Sequence, residues 1–88
     1  MRLDKFLKLS RLIKRRTVAK DVSDQGRVYI NGKEAKASSA VKLGDEITVR
    51  YGNRSVTVRV DGLQESPRKE EASSMYTILR EESVRADQ

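Results

Sequence analysis

The chain has 88 residues, with 19 Lys or Arg against 13 Asp or Glu and a formal net charge of +6. It contains no Cys and no His, which removes the disulfide staple, the usual zinc and haem ligands, the His base and the Cys nucleophile. One small domain is expected, with no metal or cofactor and with binding rather than catalysis as its task. No stretch approaches the roughly 20 apolar residues of a membrane span, and the basic N-terminus lacks an apolar signal core. A cytoplasmic protein without a membrane partner is the expectation.

The charge is unevenly placed. The first twenty residues hold eight basic side chains and one acid, or +7, while the other 68 hold 11 basic and 12 acidic, or −1. A field focused in this way attracts a polyanion, and nucleic acid is the abundant one.

Residues 2–13 (RLDKFLKLSRLI) read as an amphipathic helix. Leu3, Phe6, Leu7, Ser10 and Ile13 share one arc, with Leu9 at its edge; Lys5, Lys8 and Arg11 share the opposite arc. Lys14, Arg15 and Arg16 form a connector. Thr17 is a good N-cap for a second helix over about residues 17–25, with Val18, Ala19 and Val22 inward and Gly26 as the left-handed closing residue. Three cations crowded between two helices repel one another and stabilise nothing evident in the fold, which favours a functional reading.

Period-2 patterning follows. Arg27 to Ile30 alternates and leads into Asn31-Gly32, a type I′ hairpin signal, with a short polar edge strand returning over residues 33–37. Residues 41–45 (VKLGD) give a second glycine turn. Residues 46–51 place Ile47, Val49 and Tyr51 on one face, and after Gly52-Asn53 residues 55–60 do the same with Val56, Val58 and Val60. Residues 61–69 are a polar connector. Ser66-Pro67 resembles a cap and first helical turn, which predicts a helix over 67–80 with Ala72, Met75, Tyr76 and Leu79 inward. The β-rich run 75–79 (MYTIL) is a rival strand, and residues 81–88 are expected to fray.

One ordered set stands out: residues 2–7 (RLDKFL), Arg11, Arg16-Thr17 with Ala19, Gly26-Arg27-Val28, Ile30-Asn31-Gly32, Ser38-Ser39, Val41 and Gly44-Asp45-Glu46-Ile47. It resembles the S-four-type RNA-binding domain, or alpha-L motif, over about residues 2–50. With residues 67–76 (PRKEEASSMY), the whole resembles the heat-shock-protein-fifteen family. The resemblance implies an α+β fold: two N-terminal helices on a small, mainly antiparallel sheet, with a short C-terminal helix or strand. The expected division is an RNA-binding domain over 1–62 and a C-terminal extension over 63–88. The resemblance further implies action on large ribosomal subunits obstructed by a nascent-chain peptidyl-tRNA, in ribosome-associated quality control. Large-subunit ribosomal RNA, peptidyl-site tRNA and a factor that adds C-terminal alanine tails are the implied partners, and a monomer is expected. Longer family members carry an extended basic C-terminal helix, whereas Glu81, Glu82 and Asp87 are acidic here, which argues against RNA contact through a tail.

The candidate RNA-binding residues are Arg2, Lys5, Lys8, Arg11, Lys14, Arg15, Arg16, Lys20 and Arg27. Arg2 and Arg16 lead. Each stands at a helix N-terminus, where a cation opposes the dipole by about 0.3–1 kcal/mol, and arginine's planar fork suits phosphate. The second helix's own amides can add to the same anion site. Lys5, Lys8, Arg11, Lys14 and Arg15 read as longer-range attraction, and Arg27 as an extension of the patch or plain surface. Asp4 reads as an early-turn acid or a partner for a nearby cation. Lys33 and Lys36 read as edge-strand solubility charges, Phe6 as core and Tyr29 as half-buried. Two other readings stay open. One is a helix-turn-helix DNA-binding protein, against which Asp21 and Asp24 on the second helix would repel a duplex. The other is a basic adaptor for an acidic protein.

Overall fold

Leu3, Phe6 and Leu7 recur at helical spacing and are fully buried, so the first helix forms by laying that stripe on the core. In a computed structural model, which describes residues 1–65 and 67–83, this helix (α1) runs Leu3–Leu9. It stops short of residue 13 because Arg11 takes a left-handed backbone, φ 65°. The Ser10 hydroxyl donates to the Leu7 carbonyl at 3.3 Å, and the Ile13 amide donates to the same carbonyl at 3.1 Å. The chain thus reverses tightly, while Ile13 still reaches the core. A left-handed non-glycine residue costs about 1–2 kcal/mol, and nothing local in the sequence announces it.

The second helix, α2, spans Arg16–Asp24. Its N-cap is Arg15, in extended conformation, so Thr17 lies inside the first turn and is not the cap. Gly26, at φ 79°, closes the helix as expected: its amide donates to Ser23 and that of Arg27 to Val22, at 3.1 and 3.2 Å. Ala19 is buried and Val22 partly so, but Val18 faces solvent at 43% exposure and Ser23 takes its inward place. The Ser23 hydroxyl is satisfied by the Ala19 carbonyl at 2.7 Å.

Five strands follow the helices: β1 Val28–Ile30, β2 Lys33–Glu34, β3 Glu46–Tyr51, β4 Arg54–Val60 and β5 Tyr76–Ser83. They form one antiparallel sheet in the order β2-β1-β3-β4-β5. Asn31 and Gly32 both take positive φ, 52° and 83°, which fits the right-handed twist of the β1–β2 hairpin. Ile47, Val49, Val58 and Val60 turn one sheet face onto Leu3, Phe6 and Leu7. On the other face, Thr48 and Thr57 share a hydroxyl hydrogen bond of 2.9 Å.

The expected helix over 67–80 contracts to one turn, α3 (Lys69–Ala72), then a 3₁₀ turn Ser73–Met75. Its rival, the strand, takes the rest. β5 pairs with β4 from Arg54↔Ser83 to Val60↔Tyr76, with an irregularity at Thr57/Val58. β4 offers an open row of backbone donors and acceptors, and the β-branched and aromatic residues of Tyr76-Thr77-Ile78 fit it. Ala72 and Met75 are buried as expected, but Leu79 is exposed. Glu81 and Glu82 belong to the strand and do not fray. The expected Ser66 cap and residues 84–88 lie outside the described residues.

Candidate nucleic-acid interface

The two leading arginines meet on one acid. Asp4, in the first turn of α1, is only 3% exposed. Its Oδ1 accepts from Arg2 Nε at 3.2 Å and its Oδ2 lies 3.5 Å from Arg16 Nε. Oδ1 also accepts the Lys5 amide at 2.8 Å. The arginine side chains stay about half exposed, at 51% and 50%. A buried carboxylate therefore holds each guanidinium, Arg2 also through its Nη2 to Oδ2 at 3.4 Å, while half of each arginine side chain stays open to solvent. One acid between two cations leaves the corner net positive.

Backbone contacts hold this corner in place. The Leu3 and Asp4 amides, which α1 cannot satisfy itself, donate to the carbonyls of Ser39 (2.8 Å) and Ala37 (3.1 Å). Arg2 forms a β-bridge with Ala40, and the Met1 carbonyl accepts the Val41 amide at 2.8 Å. The first turn of α2 has neither a side-chain cap nor an acid, so its amides remain available to an anion beside Arg16. Tyr51, on β3, donates its hydroxyl to the Leu12 carbonyl at 3.0 Å and pins the connector to the sheet. Burial first, and Tyr76 second, raise the Tyr51 pKa and keep that hydroxyl protonated.

The other candidate cations divide. Lys5 pairs with Glu65, whose carboxyl this hydrogen bond holds below its usual range. Lys20 pairs with Asp24 at 3.2 Å. The Ala37 amide, followed by Lys20, lowers the Asp24 pKa. These two lysines are partly neutralised within the fold. Lys8, Arg11, Lys14, Arg15 and Arg27 are exposed and form no ion pair among the described residues. Arg27 follows the far end of α2, about 14 Å of helix from Arg16 at 1.5 Å per residue. The face of α2 that a DNA reader would need holds Asp21 and a buried Ser23, while Asp24 is spent on residue 37.

Sequence reasoning did not foresee the clamp that joins residues 2, 4 and 16, nor the segment 35–41 as the cradle of the N-terminus. Ser38-Ser39 and Val41 in the motif were the available signal. Ala35, Ala37 and Val41 are buried there, although residues 33–37 read as a polar edge strand, which contracts to Lys33–Glu34, and 41–45 as a glycine turn.

The S4 domain family matches residues 1–47, over half of the chain. The chain belongs to the S4 domain family. The S4 region takes in the Asp4 clamp, both helices and the β1–β2 hairpin, while β4 and β5 lie beyond it. A Bacillus subtilis (strain 168) protein named RQC P-site tRNA stabilizing factor is 67% identical over 84 residues, 96% of this chain and 98% of that one. Heat shock protein 15 of Escherichia coli (strain K12) is 38% identical over 77 residues, 86% of this chain and 58% of that one. The solved structure of Vibrio cholerae Heat Shock Protein 15 superposes with a TM-score of 0.81 at 34% identity, covering 89% of this chain and 80% of that one. That S4-type relative is described as trimeric, so the expected monomer finds no support in it.

Proposed function

We propose that this S4 domain protein binds structured RNA on the large ribosomal subunit in ribosome-associated quality control. There it holds peptidyl-site tRNA together with ribosomal RNA on obstructed subunits. The observation that carries this reading is the buried Asp4 holding two half-exposed arginines beside an uncapped helix N-terminus. Folded RNA is recognised largely through its backbone and shape, which suits fixed guanidinium forks on a surface with few exposed aromatics. The name of the Bacillus subtilis relative, with both chains covered almost throughout, supports the tRNA part. The proposal extends to cytoplasmic work alongside a factor that adds C-terminal alanine tails to stalled nascent chains. The protein acts by binding and not by catalysis. No helix among the described residues is long and apolar enough to cross a membrane.

The test is sedimentation with large subunits. Arg2→Ala and Arg16→Ala are expected to fold normally and to lose co-sedimentation. Normal co-sedimentation by both folded variants would remove the corner as the binding site. With about five phosphates neutralised, log affinity should fall against log salt with a slope near −4, or less steeply for unpaired RNA. A gel shift that prefers random duplex DNA to ribosomal RNA would overturn the reading, as would binding that survives ribonuclease.

A further inference from the structure

At the opposite end of α2 the fold opens a second basic feature. Gly26 and Arg27, entering β1, face Arg50 and Gly52, leaving β3, across an open cleft of about 240 Å³. The Arg50 amide donates to the Arg27 carbonyl at 2.9 Å, which continues the ladder in which Val28 pairs with Val49. Arg27 and Arg50 are therefore direct cross-strand neighbours. Like charges placed so destabilise a sheet unless something neutralises them. Among the described residues neither arginine has a carboxylate partner, unlike Arg54 with Glu81 and Arg59 with Asp61. Glu34 comes close to one end of the cleft: a Cβ on Gly26 would come within 2.9 Å of its Oε2. That oxygen lies 3.8 Å from Lys36 Nζ. Gly26 and Gly52 take positive φ, 79° and 49°, and carry no side chain over the opening. Two cross-strand arginines lining one open mouth, with bare backbone at both ends, suit a phosphate group approached from outside.

We propose that the Arg27–Arg50 cleft is a second grip, taking one backbone phosphate of the bound RNA at a place separate from the Asp4 corner. The inference rests on the RNA-binding reading above and adds Arg50, which lies beyond the S4-matched residues. The two grips bracket α2, so a single RNA surface would be held at both ends of that helix. This fixes orientation, which one corner alone leaves free.

The experiment compares the full chain with Arg50→Ala, Arg50→Lys and the control Lys33→Ala, each bound to purified large subunits across a salt series. Thermal melts confirm that each variant folds. Arg50→Ala should bind roughly tenfold more weakly at low salt, with a salt slope shallower by about 0.7–0.9, one phosphate's share. Arg50→Lys should keep most of the slope while binding more weakly than the parent, because a point charge replaces the fork. Lys33→Ala should change little. Unchanged affinity and slope for folded Arg50→Ala, with Arg2→Ala still defective, would overturn the second grip and leave the RNA function standing. An equal loss from Lys33→Ala would also overturn it, since a diffuse field would then explain both. Failure of the parent chain to bind subunits in a salt-dependent way would take down the RNA reading and this inference together.

Discussion

The α1–α2 corner and the β4–β5 edge both mix arginines with acids, and they use them oppositely. At the corner, one buried carboxylate organises two arginines and leaves a net positive charge facing out. At the edge, surface acids match the cations nearly one for one: Arg54 with Glu81 at 3.4 Å, Arg59 with Asp61 at 2.9 Å and Arg80 with Glu82 at 4.0 Å. Asp61 also accepts the Thr77 hydroxyl, the leading cause of its lowered pKa, with Arg59 adding to it. A list of arginine–carboxylate pairs ranks these places alike. What separates them is whether the acid sits beneath the arginines as a support or beside them as a neutraliser.

Removing the support should have the largest effect. Asp4→Ala deletes the acceptor of Arg2, Arg16 and the Lys5 amide, and should cost about 1–3 kcal/mol in chemical denaturation. Binding to large subunits should weaken as well, although no RNA-facing cation is removed. Full affinity with lowered stability would show that the clamp is structural only.

Next comes the turn that leads from the corner into the sheet, between α2 and β1. Gly26→Ala puts a Cβ on a left-handed residue and against Glu34, for about 1 kcal/mol of destabilisation in the same assay. An unchanged midpoint would mean that the α2 closure relaxes freely.

Acid titration distinguishes the regions more gently. Asp24, Asp61 and Glu65 all have lowered pKa values in the fold, so the unfolded chain binds protons more readily. Their contribution is present above the unfolded carboxylate value, 3.8 for Asp, and fades as pH falls through the lower folded values. Melting temperature should therefore drop below about pH 4, and Asp24→Asn should flatten that limb. A melting temperature that rises on acidification would contradict the assignment.

The smallest effect is expected from Glu81→Gln. An exposed pair with Arg54 is worth about 0–1 kcal/mol, and subunit binding should not weaken. A clear loss of affinity would extend the interface to β5 and erase the contrast with the corner.

Much of this was legible in the residues. Asn31-Gly32 demanded its turn and Gly26 its left-handed closure, since both depend on backbone sterics within a few residues. The motif pairing of Asn31 with Asp45-Glu46 also has a physical basis: the Asn31 side chain donates to Asp45 at 3.1 Å and accepts the Glu46 amide at 2.9 Å. The helix over 67–80 misled because Ala72, Met75, Tyr76 and Leu79 fit helical spacing as well as they fit a turn and a strand. No signal within that window could weigh the free edge of β4.

Residues a few positions apart were enough to set the short-range features: the N-terminal block of positive charge, the two helical stripes, the alternation of the strands and the glycine turns. Each follows from side-chain period or backbone sterics acting over a few residues. Contacts between distant segments were needed to end α1 at Leu9, ahead of a left-handed Arg11, to make residues 76–83 a strand and to bring Arg2 and Arg16 onto Asp4. Those outcomes depend on partners distant in sequence. A left-handed Arg11 is tolerated because Ile13 and Leu12 are then held by the core and by Tyr51. A strand wins when β4 supplies its hydrogen bonds. A carboxylate becomes a clamp when folding buries it between two helix ends.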